Sequence, residues 1–147
     1  MRFFTMAWWG GDDPEDGTDI AFADYAAHLA AIRDHLPPDL RATQESVSLH
    51  DCRLRVLTLD LGKQSLVLAM ENYDADERLT LTYRGVERFE SVADPAVGLG
   101  GPAGYGDLGY NEVEMPTPES FEHHLLFSTG IELVVTFRDF TPQRERQ

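Results

Sequence analysis

Two runs of alternating residues, CRLRVLTLDL at 52–61 and SLVLAMEN at 65–72, decide how this sequence folds. Successive side chains of a β-strand point to opposite faces of its sheet, so a period of two indicates a strand. The three residues Gly62, Lys63 and Gln64 join the runs, and such a short, glycine-containing connection predicts a β-hairpin. Apolar residues stand at both parities of the first run, which is typical of a strand covered on both faces.

Three further segments have the same period. In RLTLTYRGV at 78–86, apolar side chains alternate with polar ones. SFEHHLLFS at 120–128 and IELVVTFRDF at 131–140 flank a Thr-Gly pair, which predicts a second hairpin. The segment GVERFESVADP at 85–95 is expected to hold a single helical turn, and TPQRERQ at 141–147 is expected to be a frayed tail.

One segment near the N-terminus, DIAFADYAAHLAAIRDHLPP at 19–38, has helical spacing instead. Its large apolar residues recur at intervals of three and four, which places them on one stripe of a helix. They are Phe22, Tyr25, Leu29, Ile32 and Leu36. Thr18 or Asp19 can cap the start, and Pro37 and Pro38 end the helix because proline lacks the backbone N–H.

These elements predict one domain over residues 1–147, with an acidic linker at 10–18 before the helix. The expected fold class is α+β, with one long N-terminal helix packed on an antiparallel sheet of five or more strands. A chain of this length buries roughly two thirds of the surface that its unfolded form exposes. It therefore needs no disulfide or metal to fold.

The charge is strongly negative and unevenly distributed. The formal net charge is −14, and two stretches without Lys or Arg contain the whole excess of acids: residues 3–32 and 89–137. Binding to nucleic acid requires clustered cations, so this balance excludes nucleic acid as a partner and disfavours an anionic membrane. A basic protein is the partner that such charge favours. The expected partner-binding residues are Asp107, Glu112, Glu114 and Glu122.

The only cysteine is Cys52, so no internal disulfide can form, and a reducing compartment is expected. No apolar run reaches the length of a membrane span, and no signal peptide is recognisable. We therefore expect a cytoplasmic protein.

Six glycines lie between Gly98 and Gly109, and GYGDLG at 104–109 matches the form G-x-G-x-x-G. That motif binds a dinucleotide only where a helix begins directly after it, because the helix N-terminus supplies the N–H groups. Here two prolines follow, and nearby acids would repel phosphate. The glycine-rich segment is therefore predicted to be a folded connection, with no nucleotide cofactor.

The most chemistry-like cluster is the run His50, Asp51 and Cys52. A thiol with an imidazole and a carboxylate can form an activated nucleophile. Neighbouring strand residues face opposite ways, however, so a structural role for the cluster competes with a catalytic one. The other histidines match no zinc-ligand spacing, and GDDPEDGTD fails as a calcium loop because its twelfth position is alanine. No metal is predicted.

Several segments resemble an uncharacterised bacterial family of small α+β proteins. They are MRFFTMAWW, SLHDCRL, LTLTYRGV, GYGDLGYNEVE and HHLLFSTGIELVVTFRDF. Members of that family begin with a pattern that matches Met1, Arg2, Phe3, Phe4, Thr5 and Trp8 here. The later strand pattern is also similar to small immunity proteins of bacterial toxin systems. The resemblance implies an α+β fold and brings no catalytic motif.

Three functions remain open on these grounds. The preferred one is a non-enzymatic, acidic protein-binding module, with an immunity role as one form of it. The second is a small hydrolase that uses Cys52 or a pair of histidine and carboxylate. The third is an anionic mimic of nucleic acid.

Overall fold

The computed structural model describes residues 1–11, 18–92 and 104–147. Its helices are α1 (Met6–Trp9), α2 (Thr18–Ile32) and α3 (Pro38–Ser46), with a 3-10 turn at Arg33–His35 between the last two. The prediction of one long helix to residue 36 is therefore wrong. Pro38 begins α3, because the first turn of a helix has no use for the backbone N–H that proline lacks. None of the helices in the described ranges is long and apolar enough to cross a membrane.

Within the described ranges, eight strands follow the helices. They are β1 (Cys52–Asp60), β2 (Ser65–Asn72), β3 (Glu77–Arg84), β4 (Arg88–Val92), β5 (Leu108–Thr117), β6 (Ser120–Phe127), β7 (Glu132–Phe137) and β8 (Asp139–Arg146). They form two antiparallel four-stranded sheets, with the orders β1-β2-β3-β8 and β4-β7-β6-β5. The α+β class is confirmed, whereas the single sheet of five or more strands is corrected to two sheets of four.

Both predicted hairpins are present. Strands β1 and β2 pair across the turn at 61–64, and β6 pairs with β7. The alternation in β3 also holds, since Leu79, Leu81 and Tyr83 are all buried. Side chains of both sheets join one core, which includes Phe127, Phe137 and Phe140. The two sheets therefore cover each other face to face.

The chain crosses between the sheets at one corner, where β3 leads into β4 and β7 leads into β8. Gly85 has a φ of +60° there, and a Cβ on it would lie 3.0 Å from the Cβ of Arg138. Across the corner, the Arg138 N–H donates to the Arg84 carbonyl (3.0 Å) and the Glu87 N–H donates to the Thr136 carbonyl (2.8 Å). The pairing is thus continuous through the bend. This corner splits the expected single sheet in two.

Two other local predictions need correction. Residues 88–92 form strand β4, and so do not form a helical turn. The supposed tail at 141–147 belongs largely to β8, which pairs with β3 from Arg84↔Asp139 to Glu77↔Arg146. Most of the acidic linker predicted at 10–18 lies outside the described residues, as do residues 98–103 of the glycine-rich segment.

The two longer helices each contact an outer strand of one sheet. Helix α2 contacts β5, and α3 contacts β8. The apolar stripe that the sequence predicted from Phe22 to Leu36 is only partly buried. Leu36 is 4% exposed, whereas Phe22 is 49% exposed.

Candidate functional site

An open cleft of about 420 Å³ lies between α2, the connection from α3 to β1, and β5. Its walls come from four segments that are far apart in the sequence. They are Phe4, Phe22, Tyr25, Gln44, Val47, Ser48, Leu49, His50, Gly109, Tyr110 and Asn111. No lysine or arginine is among these residues. The size is typical of a ligand-binding cleft.

One wall of the cleft is an aromatic cluster centred on Phe4. The Phe4 ring lies 5.1–5.3 Å, centroid to centroid, from those of Trp8, Phe22, Tyr25 and Tyr110. Such distances fall in the range where aromatic pairs add stability beyond their buried area. Phe4 is 4% exposed, so it forms the base of the cluster, while Phe22 remains accessible.

Tyr110 connects this cluster to the next segment of the wall. Its ring makes edge contacts with Trp8 and Trp9 and reaches His50 at 6.1 Å. Gly109 precedes it, and a Cβ there would overlap the indole ring of Trp9. The glycine therefore allows α1 to approach β5 closely.

Phe4 is held in place by a buried carboxylate. Glu112 on β5 has no exposed surface, and its oxygens accept hydrogen bonds from the backbone N–H groups of Arg2 (2.8 Å), Phe3 (2.7 Å) and Phe4 (2.6 Å). A buried charge is tolerated only when its hydrogen bonds are satisfied, and three backbone donors meet that requirement here. Glu112 thus fixes the N-terminal segment across β5.

The polar side of the cleft is a hydrogen-bonded relay that runs from β5 to the core. The Val113 N–H donates to the Tyr25 hydroxyl (3.0 Å), which donates to Gln44 Oε1 (2.8 Å). Gln44 Nε2 then donates to Asn111 Oδ1 (2.7 Å). His123 Nε2 lies 2.9 Å from the same oxygen. The side chains on this side of the cleft are therefore oriented by their neighbours.

His123 completes the relay in a fixed tautomer. Because Asn111 Oδ1 can only accept, Nε2 of His123 must carry the proton, and Nδ1 accepts from the Tyr83 hydroxyl at 2.8 Å. Burial lowers the pKa of His123 to about 3, with a smaller contribution from neighbouring His124. The ring is neutral at physiological pH and serves as a structural link.

The candidate catalytic run does not assemble a nucleophile and base. His50 and Asp51 lie in the turn before β1, about half exposed, and His50 Nδ1 lies 2.8 Å from Asp51 Oδ2. Cys52 begins β1 and is buried. Burial, and then the charges of Asp51 and Glu77, raise the pKa of the Cys52 thiol to about 11. The thiol is therefore protonated at neutral pH.

All four acids predicted to bind a partner have partners inside the fold. Asp107 pairs with Arg53 (2.6 Å), and Glu114 with Arg2 (3.3 Å) and His28 (3.2 Å). Glu122 pairs with His124 at 2.6 Å. Glu112 is fully buried and has no surface for a partner in this conformation, and partner binding by these acids stays a prediction. The others keep part of their surface.

His124 lies at the centre of an ionic cluster on the outer face of β6. Its Nε2 lies 2.6 Å from Glu122, and its Nδ1 lies 2.9 Å from Glu132, which also pairs with the amino group of Met1. Burial opposes the charged form of His124, but the hydrogen bonds of Glu132 and Glu122 outweigh it and raise its pKa. The hydrogen bond from His124 lowers the pKa of Glu132.

The remaining histidines do not converge with these. Within the described ranges, no three or more His, Cys, Asp and Glu side chains are grouped so as to hold a metal ion. His28 Nε2 lies 2.9 Å from the carbonyl of Val113, and His35 is exposed. The described part of the glycine-rich segment, 104–109, leads into β5 without a helix.

Sequence reasoning missed most of the cleft. Tyr25 was predicted only as part of a helix stripe, and Gln44, Tyr110 and Asn111 carried no recognisable pattern. One signal was available: MRFFTMAWW places four aromatic residues within nine, more than a single strand buries. The convergence of four distant segments has no local signature.

Comparisons with known proteins show a fold likeness only. No protein-family model matches the chain, and no curated protein does. The crystal structure of an uncharacterized protein from Neisseria gonorrhoeae is similar, with a TM-score of 0.52 and 10% identity over 65% of this chain and 93% of that chain. At that identity the likeness concerns the fold alone. The resemblance to immunity proteins stays a prediction.

Replacing Glu112 by alanine should destabilise the protein strongly. The substitution leaves three backbone N–H groups without their acceptor, and the free energy of unfolding should fall by about 3 kcal/mol or more. Urea denaturation measures this change. Glu119→Ala, in the exposed turn after β5, is the matched control and should change stability by less than about 0.5 kcal/mol. Equal effects of the two substitutions would contradict the anchoring role.

The ionic cluster should make stability depend on pH. Because the folded pKa of His124 is raised above its ordinary 6.5, its contribution is complete below that value and is lost as pH rises through the folded pKa. Because the pKa of Glu132 is lowered from 4.5, its contribution is complete above that value and is lost as pH falls through the folded pKa. The cluster is therefore most stabilising between about pH 4.5 and 6.5.

Denaturation of the wild type and of His124→Gln at about pH 5.5 and about pH 8.5 tests this dependence. The stability difference between the two proteins should be larger at the lower pH. The same substitution at exposed His35 should give a difference that does not change with pH. A His124 difference that is equal at both pH values would rule out the ionic cluster.

Proposed function

We propose that the protein is a non-enzymatic binding module that recognises a basic protein. The observation that carries the proposal is the cleft, which is open, lined by aromatic rings and free of Lys and Arg, on a chain with a net charge of −14. Concave sites with many apolar groups and a few oriented polar ones are typical of binding sites. A strong negative field favours encounter with a positively charged partner.

The state of the reactive side chains supports binding over catalysis. The buried thiol of Cys52 has a raised pKa, whereas a nucleophilic cysteine needs a lowered one. The imidazole of His123 is neutral and has hydrogen bonds at both nitrogens. His50 and Asp51 pair with each other at the rim of the cleft, where they can contact a ligand. The neighbouring thiol of Cys52 is buried and does not lie in the cleft with them.

The acid available to a partner at the cleft is Asp51, which is half exposed beside His50. Asp24 is exposed on α2, but it lies on the flank of the helix opposite Phe22 and contributes only to the general field. The sequence DDPED at 12–16 adds to the negative charge of the chain. Asp107, Glu114 and Glu122 add to the field, but their ion pairs within the fold compensate much of their charge. Recognition is therefore centred on the cleft.

Selection from a displayed library of random peptides should test the proposal. Peptides that bind should be enriched in Arg and Lys, and their binding should weaken as NaCl rises from about 50 to about 500 mM, because salt screens exposed charges. The variant Asp51→Asn should lower affinity about threefold at low salt. The matched variant Asp74→Asn, in the exposed turn between β2 and β3, should not.

Enrichment of neutral or acidic peptides, or binding that salt does not change, would count against a basic partner. Binding of basic peptides that responds equally to both substitutions would indicate recognition by total charge alone. That result would favour the anionic mimic of nucleic acid over a module with a defined site.

A further inference from the structure

Among the described residues, Asn111 on the edge of β5 has a backbone N–H and C=O without hydrogen-bond partners. β5 is the outer strand of its sheet, and Val113 turns both of its backbone groups away from β6, towards Tyr25 and His28 on α2. Residues two apart on an antiparallel strand point their N–H and C=O to the same side. The N–H and C=O of Asn111 therefore also point outward, and they have no hydrogen-bond partner within residues 1–11, 18–92 and 104–147.

The strand edge is closed on both sides of this position. Towards the C-terminus of β5, the side chains of Tyr25 and His28 on α2 form hydrogen bonds with the backbone N–H and C=O of Val113. Towards its N-terminus, the carbonyl of Leu108 accepts from the Asp51 N–H at 2.8 Å. Asn111 lies between them and lines the cleft. The open edge position and the aromatic wall thus belong to the same site.

The two amide side chains of the cleft, Asn111 and Gln44, offer hydrogen-bond donors more than acceptors. Asn111 Oδ1 already accepts from Gln44 and His123, so Asn111 presents its amide N–H groups. Gln44 keeps one amide hydrogen after donating to Asn111, and its Oε1 accepts from Tyr25. Such a site is complementary to carbonyl oxygens. Arg and Lys side chains bring only donors, so they fit the acidic rim better than the interior.

We propose that the cleft binds an extended segment of the basic partner by β-strand addition at Asn111, with an apolar side chain of that segment against Phe22 and Tyr110. The proposal rests on the proposed function and specifies how its site is used. The main chain of the segment supplies a C=O that accepts from the Asn111 N–H and an N–H that donates to the Asn111 C=O. A basic residue beside the apolar one lies near Asp51, which supplies the complementary charge.

Nuclear magnetic resonance titration of the ¹⁵N-labelled full chain tests this mode. The probe is an acetylated and amidated pentapeptide with two arginines on each side of a central phenylalanine. It should shift the backbone resonance of Asn111 and those of its neighbours on β5. Among analogues methylated at one peptide nitrogen each, methylation at the amide that faces Asn111 should weaken binding about tenfold, because it removes one hydrogen bond. The adjacent amides face away and should tolerate methylation.

The aromatic wall is tested with Phe22→Ala, which should weaken the probe about tenfold because the ring is its main apolar contact. Ile20→Ala is the matched control, since Ile20 is 56% exposed on the same helix and does not line the cleft. It should bind like the wild type. The amide spectrum of each variant reports whether the fold is intact.

The results separate the two proposals. If basic peptides from the library bind but the pentapeptide shifts resonances outside the cleft, or all methylated analogues bind alike, strand addition is overturned and the basic partner stands. The same holds if the pentapeptide fails to bind while library peptides bind elsewhere. If no basic peptide binds at all, both proposals are overturned.

Discussion

The site depends on the hydrogen bonds that the buried carboxylate of Glu112 accepts from the N-terminal backbone. Three consecutive backbone amides, at residues 2–4, converge on a side chain with no exposed surface. Leaving such a group without its partners costs several kcal/mol, so the N-terminal segment and β5 form or separate together. Phe4 is the last residue of this contact and the first of the aromatic cluster. A charge in the interior thus fixes the position of an apolar wall at the surface.

The acidic residues have two roles in this arrangement. Acids of β5 and β6 form contacts within the fold. Glu112 accepts hydrogen bonds from backbone amides, Glu114 pairs with Arg2, and Glu122 pairs with His124. Acids around the helices stay in solvent and set the field outside the cleft. Total charge is therefore a poor guide to the binding surface. What identifies the cleft is its geometry: oriented amide groups, accessible rings and one open position on a strand edge.

Sequence patterns predicted the elements that depend on neighbouring residues alone. The alternation at 52–86 and 120–140 predicted both hairpins and the buried side of β3, because a period of two reports one covered face. The second helix after the break was missed because proline was read only as the end of a helix, whereas Pro38 lies in the first turn of α3. The division into two sheets depends on the bend at Gly85 and Arg138, which are far apart in sequence. Strand β8 was missed because its residues after Phe140 are mostly polar, so the sequence shows no alternation of apolar and polar residues there. The cleft joins residues from four segments, so no window of sequence contains it.

Amide hydrogen exchange at Phe3 and Phe4 tests the central claim most directly. If Glu112 holds these amides in the interior, they exchange only when the fold opens, at rates on the order of a thousandfold or more below those of an unstructured peptide. Exchange of the two amides at the rate of an unstructured peptide, while core amides of β6 remain protected, would contradict the account.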